Sequence, residues 1–474
     1  MSSSISFALT GFSLIDSLPV LWPVAATLAG ALLFFRSLRK QSGQLDVFEL
    51  GVFYAVLVIL YSVFPLVGYL LGDLSFTPLS DNRLFRAQPS PKELAPIFWY
   101  YFLYFGVFAF CYAWLRGNRN RSAPRIMMPP RYTLAALIVS LLLIKAFFLC
   151  VGFIYGLQDP GSYEESYLMY RGLPLLIRQI LGHFNGITFT LEILIVALLV
   201  FNFQKYKYWI CVWFLAEFLS IFLKGVGSRT ELFVLLMSLA ASYHFVVKRF
   251  SVRTALAVGS FVLLLFISLG VIRGLAAINS DTGLNPFGYA NEFESSLGNA
   301  YDISQLKAAG ETKSVFPRFY FADYVSLIPQ QLLPFKKIDV STWYVSTFYP
   351  TFAESGGGLS FGAIAESILG LGWVDVVWRG AFIGILFAWL HRRFVRRKQT
   401  LWGYGFYLWV LVFAYQCFRG GTFLLVPRAF YEFFSVFIWI PIFADVLSLF
   451  RLRAVPSAGN VPKDGSSQFA SSKG

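Results

Sequence analysis

Long apolar runs recur from one end of this chain to the other, and a single stretch interrupts them. A helix crosses a bilayer with about 20 predominantly apolar residues. Runs of that kind read at 17–35, 48–72, 95–115, 132–156, 179–203, 209–223, 231–247, 254–274, 360–390, 401–418 and 429–450. Between Leu275 and Leu359 none occurs. Backbone groups at membrane depth must be paired within the protein, so runs this long read as helices. The pattern predicts an all-α fold, a polytopic integral membrane helix bundle of about 11 transmembrane helices with one large water-facing loop. It divides the chain into a membrane bundle at 1–274, the loop at 275–359, further spans at 360–453 and a Ser/Gly/Pro-rich tail at 454–474, expected to be disordered.

The run at 360–390 is irregular. It follows Glu354 and Gly356-Gly357-Gly358, and it contains Glu366 and Gly370-Leu371-Gly372. Polar, glycine-rich backbone at membrane depth is tolerated only against protein or a wet cavity. The segment therefore reads as a half-helix or re-entrant element leading into a span that starts near Trp373. No internal repeat is visible, which counts against transporter folds built from two related halves.

Charge sets the expected orientation. Basic clusters stand at Arg36, Arg39 and Lys40, at Arg116 to Arg131, at Lys205 and Lys207, at Lys248 to Arg253, at Arg392 to Lys398, and at Arg451 and Arg453. They occupy every second loop, so the positive-inside rule makes those loops cytoplasmic. The N-terminus and the long loop then lie outside, and the C-terminus inside. The residues before the first run, Met1 to Asp16, carry no basic region, so that run is expected to remain as a span rather than be cleaved as a signal.

Composition agrees. The chain of 474 residues is 57% hydrophobic and only 14% charged, with aromatics at 19%. Soluble domains are about 25% charged. The net charge of +14 is carried by short loops between spans, so topology accounts for it and no nucleic-acid partner is implied. Cys111, Cys150, Cys211 and Cys417 fall inside predicted spans without metal-ligand spacing, and the histidines are His183, His244 and His391. Neither a disulfide framework nor a zinc site is expected.

Charge at bilayer depth is costly and needs a reason. Lys145 and Glu192 lie at similar depth in neighbouring runs and suit an ion pair. Asp375 and Arg379, and Arg428 and Glu432, are four apart and suit pairs along one helix. Arg419 and Arg428 bracket the short loop Arg419-Gly420-Gly421-Thr422 to Arg428 on the outer side. They either snorkel to the interface or grip an anionic headgroup. The sharpest local pattern is Lys224-Gly225-Val226-Gly227-Ser228-Arg229-Thr230-Glu231. It is either an ordinary turn or an anion site, with Arg229 at a helix N-terminus whose dipole favours negative charge. In the long loop, Arg318-Phe319-Tyr320-Phe321-Ala322-Asp323-Tyr324 mixes charge with aromatic faces. It reads as an interfacial helix or as a sugar-binding surface. Glu292, Glu294, Asp302, Glu311, Asp323, Glu354 and Glu366 supply carboxylates, any one of which can serve as base for a hydroxyl nucleophile, and spacing alone does not select among them; His183 is a second candidate beside a structural role.

These features resemble the Wzy-type oligosaccharide repeat-unit polymerases: many spans, the Gly227-Ser228-Arg229-Thr230 turn opening a span, one long outer loop late in the chain, and Glu366 followed by Gly370-Leu371-Gly372 before a span. As motif, the resemblance covers 223–233 and 355–385. Some members carry an Arg followed eleven residues later by Gly; Arg171 and Gly182 match that spacing, while Arg318 is followed at that distance by Pro329. The resemblance implies a GT-C-like, metal-independent glycosyltransferase of a bacterial inner membrane that needs no cofactor. It would join undecaprenyl-diphosphate-linked repeat units on the outer face, with membrane lipid around it and a chain-length regulator protein as a plausible partner. Glu366 or Glu354 would act as base, with Arg229 as a catalytic cation. Arg171, Arg229, Arg318, Arg419 and Arg428 would hold diphosphate, and Tyr320, Asp323 and Tyr324 sugar. An O-antigen ligase-like enzyme shares this layout, but the long loop has no histidine between His244 and His391, which lowers that reading. A lipid-linked oligosaccharide flippase is the rival from another class.

Overall fold

The computed structural model describes residues 14–70, 89–117, 127, 132–156, 169–223, 229–261, 264, 292–313, 315–316, 318–325, 327–328, 332–335, 337–354 and 360–454. Outside them lie the N-terminal residues before the first run, most of the turn ahead of Arg229, the Gly356–Gly358 run and the C-terminal tail. The described part is helical and contains no strand. Seven helices are long and apolar enough to span a membrane. They are α1 (Leu14–Ser42, apolar from Ser17), α2 (Leu50–Leu70), α3 (Pro91–Arg116), α4 (Thr133–Ile154), α5 (Leu175–Phe201), the helix Trp373–Arg396 and the stretch Leu425–Ser448. The predicted runs at 209–223, 231–247, 254–274 and 401–418 correspond to α6 (Phe203–Leu223), α7 (Arg229–Val246), α8 (Val252–Phe261) and a helix at Leu401–Phe413. The structure thus supports a polytopic helical membrane protein.

The 275–359 stretch does not stand off in water as one piece. Its helix α9 (Glu292–Ala308) packs against α2, with Leu297, Ala300 and Ile303 fully buried. Phe293 stacks on Phe64 at 5.1 Å. The apolar positions of α9 recur every third residue among Glu, Ser, Asn and Asp, so their sum is too polar to read as a span while one face still buries. Three short helices follow: α10 (Arg318–Tyr324), α11 (Val340–Phe348) and α12 (Pro350–Glu354).

The irregular run resolves into two helices, α13 (Ala363–Leu369) and α14 (Trp373–Arg396), with the expected start at Trp373. α14 lies along α3. Gly380 and Gly384 permit this: a Cβ at either would come within 2.8 Å of the Tyr104 carbonyl or 2.7 Å of the Phe108 carbonyl. Small residues at such crossings let backbones approach where burial alone gives no drive between membrane helices. Behind this contact Tyr54 and Tyr104 join hydroxyls at 2.7 Å. The chain closes with α15 (Leu401–Phe413), α16 (Gln416–Arg419), α17 (Leu425–Arg428), a π-helical turn at Ala429–Phe433 and α18 (Phe434–Ala454).

The contacts sort the loops into two ends. At one end Arg116 reaches Glu49, His244 reaches Asp46, and the Met127 N–H donates to the Gln399 carbonyl. All belong to loops or helix ends that charge had grouped together. At the other end α9 and α13 meet α3, α10 reaches Leu371 after α13, and Glu366 of α13 meets the 419–428 loop.

Candidate active site

The site begins with the break between α13 and α14. Gly370 and Gly372 end α13: the Gly370 N–H donates to the Glu366 carbonyl at 2.9 Å and the Gly372 N–H to the Ser367 carbonyl at 2.8 Å. Gly372 takes φ 65°, a left-handed conformation that glycine adopts freely. From α9, the Lys307 ammonium donates to the carbonyls of Ile368 and Gly370, each at 2.6 Å. A cation at a helix C-terminus is favourable. Burial holds the Lys307 amine below its ordinary range. From α10, the Tyr320 hydroxyl accepts the Leu371 N–H at 3.1 Å, and burial with the Asp375 carboxylate pushes that hydroxyl up. Two helices of the long loop thereby pin the break in place.

Around it lies an ionic cluster. Arg379 is fully buried on α14 and donates through Nε to Asp375 at 2.9 Å, one turn earlier. Its Nη1 donates to Glu366 Oε2, which is also buried. The same carboxylate oxygen accepts the Thr422 N–H at 3.1 Å. Gly421 presses its backbone against Glu366 Oε1, leaving no room for a Cβ. The Phe423 ring lies 5.7 Å from the Arg379 guanidinium. The Arg419–Thr422 loop is thus folded around Glu366.

A second carboxylate sits on α9. Asp302 has no exposed surface, and its Oδ2 accepts the hydroxyls of Tyr344 and of Tyr349, the latter at 2.5 Å. Burial raises the acid to about 6, against the pull of the two hydroxyls.

The expected site residues divide. Glu366 lies in the cluster, and Arg419 is half-buried at the head of its loop. Tyr320 joins through Leu371. Arg229 opens α7 one turn before Phe233, whose ring packs 5.2 Å from Tyr415 beside α16; its own side chain lies outside the described residues. Arg428 is paired with Glu432 at 2.8 Å and lies 4.5 Å from the Phe413 ring. Glu432 in turn packs on Gly186, where a Cβ would come within 2.5 Å. Arg318 is exposed at the start of α10, Glu354 is exposed at the end of α12, and the side chains of Asp323 and Tyr324 lie outside the described residues. Arg171 is exposed at the mouth of α5, where its carbonyl accepts from Arg178 at 3.3 Å, and no described contact links it to the cluster. His183 sits on α5 beside Tyr431, with ring centroids 6.5 Å apart.

Three residues that sequence reasoning did not assign to the site complete the picture. Arg379 and Asp375 read there as a helix pair, and Thr422 as loop. The signal available was Arg379 itself, an arginine inside an apolar run. Lys145 likewise finds a nearer partner than expected, Glu217 at 2.5 Å against Glu192 at 3.8 Å. Among the described residues no cluster of side chains suits a metal ion. No protein-family model, curated protein or solved structure matches this chain.

Proposed function

We propose that this protein is a membrane glycosyltransferase that polymerises undecaprenyl-diphosphate-linked oligosaccharide repeat units at the outer face of a bacterial inner membrane. The observation that carries the reading is the Glu366–Arg379 pair at a broken helix, wrapped by the backbone of an arginine-bearing loop. Burial holds the Glu366 carboxyl above the ordinary carboxylate range, against the pull of Arg379 and the Thr422 N–H, and a carboxylate made more basic by burial suits a general base. In this reading the acceptor hydroxyl attacks the anomeric carbon of the donor glycan. The new C–O bond forms as the bond to the diphosphate oxygen breaks. Glu366 takes the hydroxyl proton, and the lipid diphosphate leaves with the electron pair. Arg419, Arg229 and Arg428 stabilise the charge developing there, a role fixed cations fill well away from bulk water. Tyr320 and its aromatic neighbours on α10 hold sugar. Arg318, Arg171 and Glu354 are peripheral to the chemistry.

The test is deletion of the gene in its host, followed by complementation and display of the surface glycan on a gel. Deletion should collapse the ladder to a single repeat unit with attachment intact. Wild type should restore it, while Glu366→Gln and Arg229→Ala, both reaching the membrane, should leave it at least about a hundredfold weaker, the usual contribution of a positioned base or charge. Polymer accumulating on lipid carrier with no attached glycan would replace the reading with a ligase. An unchanged ladder would overturn it for that glycan.

A further inference from the structure

The basic end of the bundle carries none of that chemistry, yet one part of it is organised beyond what topology requires. The last turns of α14 and the residues after it present Arg392, Arg393, Arg396, Arg397 and Lys398, all exposed. Cations at a helix C-terminus commonly serve its free carbonyls and its dipole. Here another side chain does that. Gln399, buried, folds back and its amide donates to the carbonyls of Arg393 at 3.2 Å, Phe394 at 2.7 Å and Arg397 at 3.0 Å. Its own backbone carbonyl accepts the Met127 N–H at 2.7 Å. Gln399 therefore holds the helix end from two directions.

Among the described residues the Glu49 and Asp46 carboxylates of this end are engaged by Arg116 and His244. Among the described residues the charged ends of Arg392, Arg397 and Lys398 meet no carboxylate. One turn deeper in the span Trp389 is 53% exposed, and the Arg393 guanidinium lies 5.8 Å from its ring. Tryptophan favours the headgroup level of a bilayer. Arg393 over such a ring, beside Arg392, Arg397 and Lys398 that meet no described carboxylate, matches a phosphodiester flanked by acyl chains. Juxtamembrane cations of this kind attract anionic lipid strongly, and pre-organisation removes part of the ordering cost.

We propose that the Arg392–Lys398 turn together with Trp389 is a binding site for the headgroup of an anionic phospholipid in the leaflet that the basic end meets. The test uses the full chain purified from membranes or reconstituted in nanodiscs of phosphatidylglycerol and phosphatidylcholine in equal parts, with retained lipid counted by native mass spectrometry. Wild type should retain phosphatidylglycerol about tenfold over phosphatidylcholine. Replacing Arg392, Arg393, Arg397 and Lys398 together with Gln should abolish that preference. A control with Lys205→Gln and Lys207→Gln, cations of another basic cluster at the start of α6 lying 5.1 and 5.0 Å from the Tyr206 and Tyr208 rings, should keep it. Trp389→Ala, which leaves every charge in place, should lower retention several-fold and serves if the fourfold variant fails to assemble. The proposal is overturned if the fourfold variant or Trp389→Ala retains lipid like wild type. It is equally overturned if the control loses as much as the fourfold variant, or if inorganic phosphate at matched concentration strips the lipid, which would mean a free-anion site rather than a headgroup site.

Discussion

At each end of the bundle a buried glutamate meets a buried arginine, and the two pairs are built differently. At the basic end Glu49 faces Arg116 along both edges, with Nε 2.5 Å from Oε1 and Nη2 2.7 Å from Oε2. The Tyr112 hydroxyl adds a bond at 2.9 Å. His391 completes the ring, its Nε2 3.8 Å from Glu49 and its Nδ1 3.0 Å from the Tyr407 hydroxyl, which also accepts the Leu50 N–H. Arg116, Tyr112, His391 and Tyr407 all stand on helices, and both carboxylate oxygens are engaged. At the other end Arg379 divides itself between Glu366 and Asp375, and the remaining donor to Glu366 is loop backbone beside two glycines. One pair closes a corner between helices. The other holds a loop against a helix break, where a small shift of the loop changes what the carboxylate meets. The same two residue types therefore serve assembly in one place and suit chemistry in the other.

The largest effect that separates the two ends is removal of the arginine. Arg116→Met strands a buried charge and should cost about 3–5 kcal/mol of stability. Thermal unfolding in detergent should register that loss, while ladder formation per folded molecule stays at the wild-type level. A fall in specific activity matching that of Glu366→Gln would erase the distinction drawn here.

A smaller effect concerns pH and belongs to the loop end alone. Burial raises Asp302 from its ordinary value of 3.8 to about 6 in the folded protein, so folding favours the protonated acid. The associated stability is complete below the lower value and is lost as pH rises through about 6, amounting to about 3 kcal/mol. Unfolding curves collected across that window should show stability declining as pH rises. Asp302→Asn should flatten the decline, and a variant keeping the full slope would remove Asp302 as its source.

The smallest expected change is Tyr320→Phe. It deletes the acceptor of the Leu371 N–H and should cost about 1 kcal/mol. Because that bond ties α10 to the helix break, hydrogen exchange at Leu371 should quicken while the Glu49 corner is unaffected. Equal change at both ends would mean a global loss rather than a local one.

Much of the fold was legible in order along the chain. The apolar runs located the helices, alternating basic clusters separated loops that the structure gathers into two ends, and the glycines before Trp373 marked the broken helix. α9 escaped because its burial comes from one narrow face: Leu297, Ala300 and Ile303 are outnumbered by polar neighbours in any average over the sequence. Of the candidate site, Glu366 and the Arg419–Thr422 loop were each visible, but not that they touch; 56 residues separate Glu366 from Thr422. Arg428 illustrates the reverse. Its spacing to Glu432 was readable, whereas its seat against Phe413 and the pressure of Glu432 on Gly186 depend on how α5 and the π-helical turn meet.

By itself the sequence determined that this chain is a membrane bundle with its basic loops grouped, because lipid demands long apolar helices and charge placement governs insertion, both properties of contiguous segments. Only the tertiary structure decided which of many charged residues share a buried site. Arg379 faces Glu366 across the helix break because α3 receives the glycines of α14 and α9 braces the end of α13, and those are contacts between segments that no local pattern encodes.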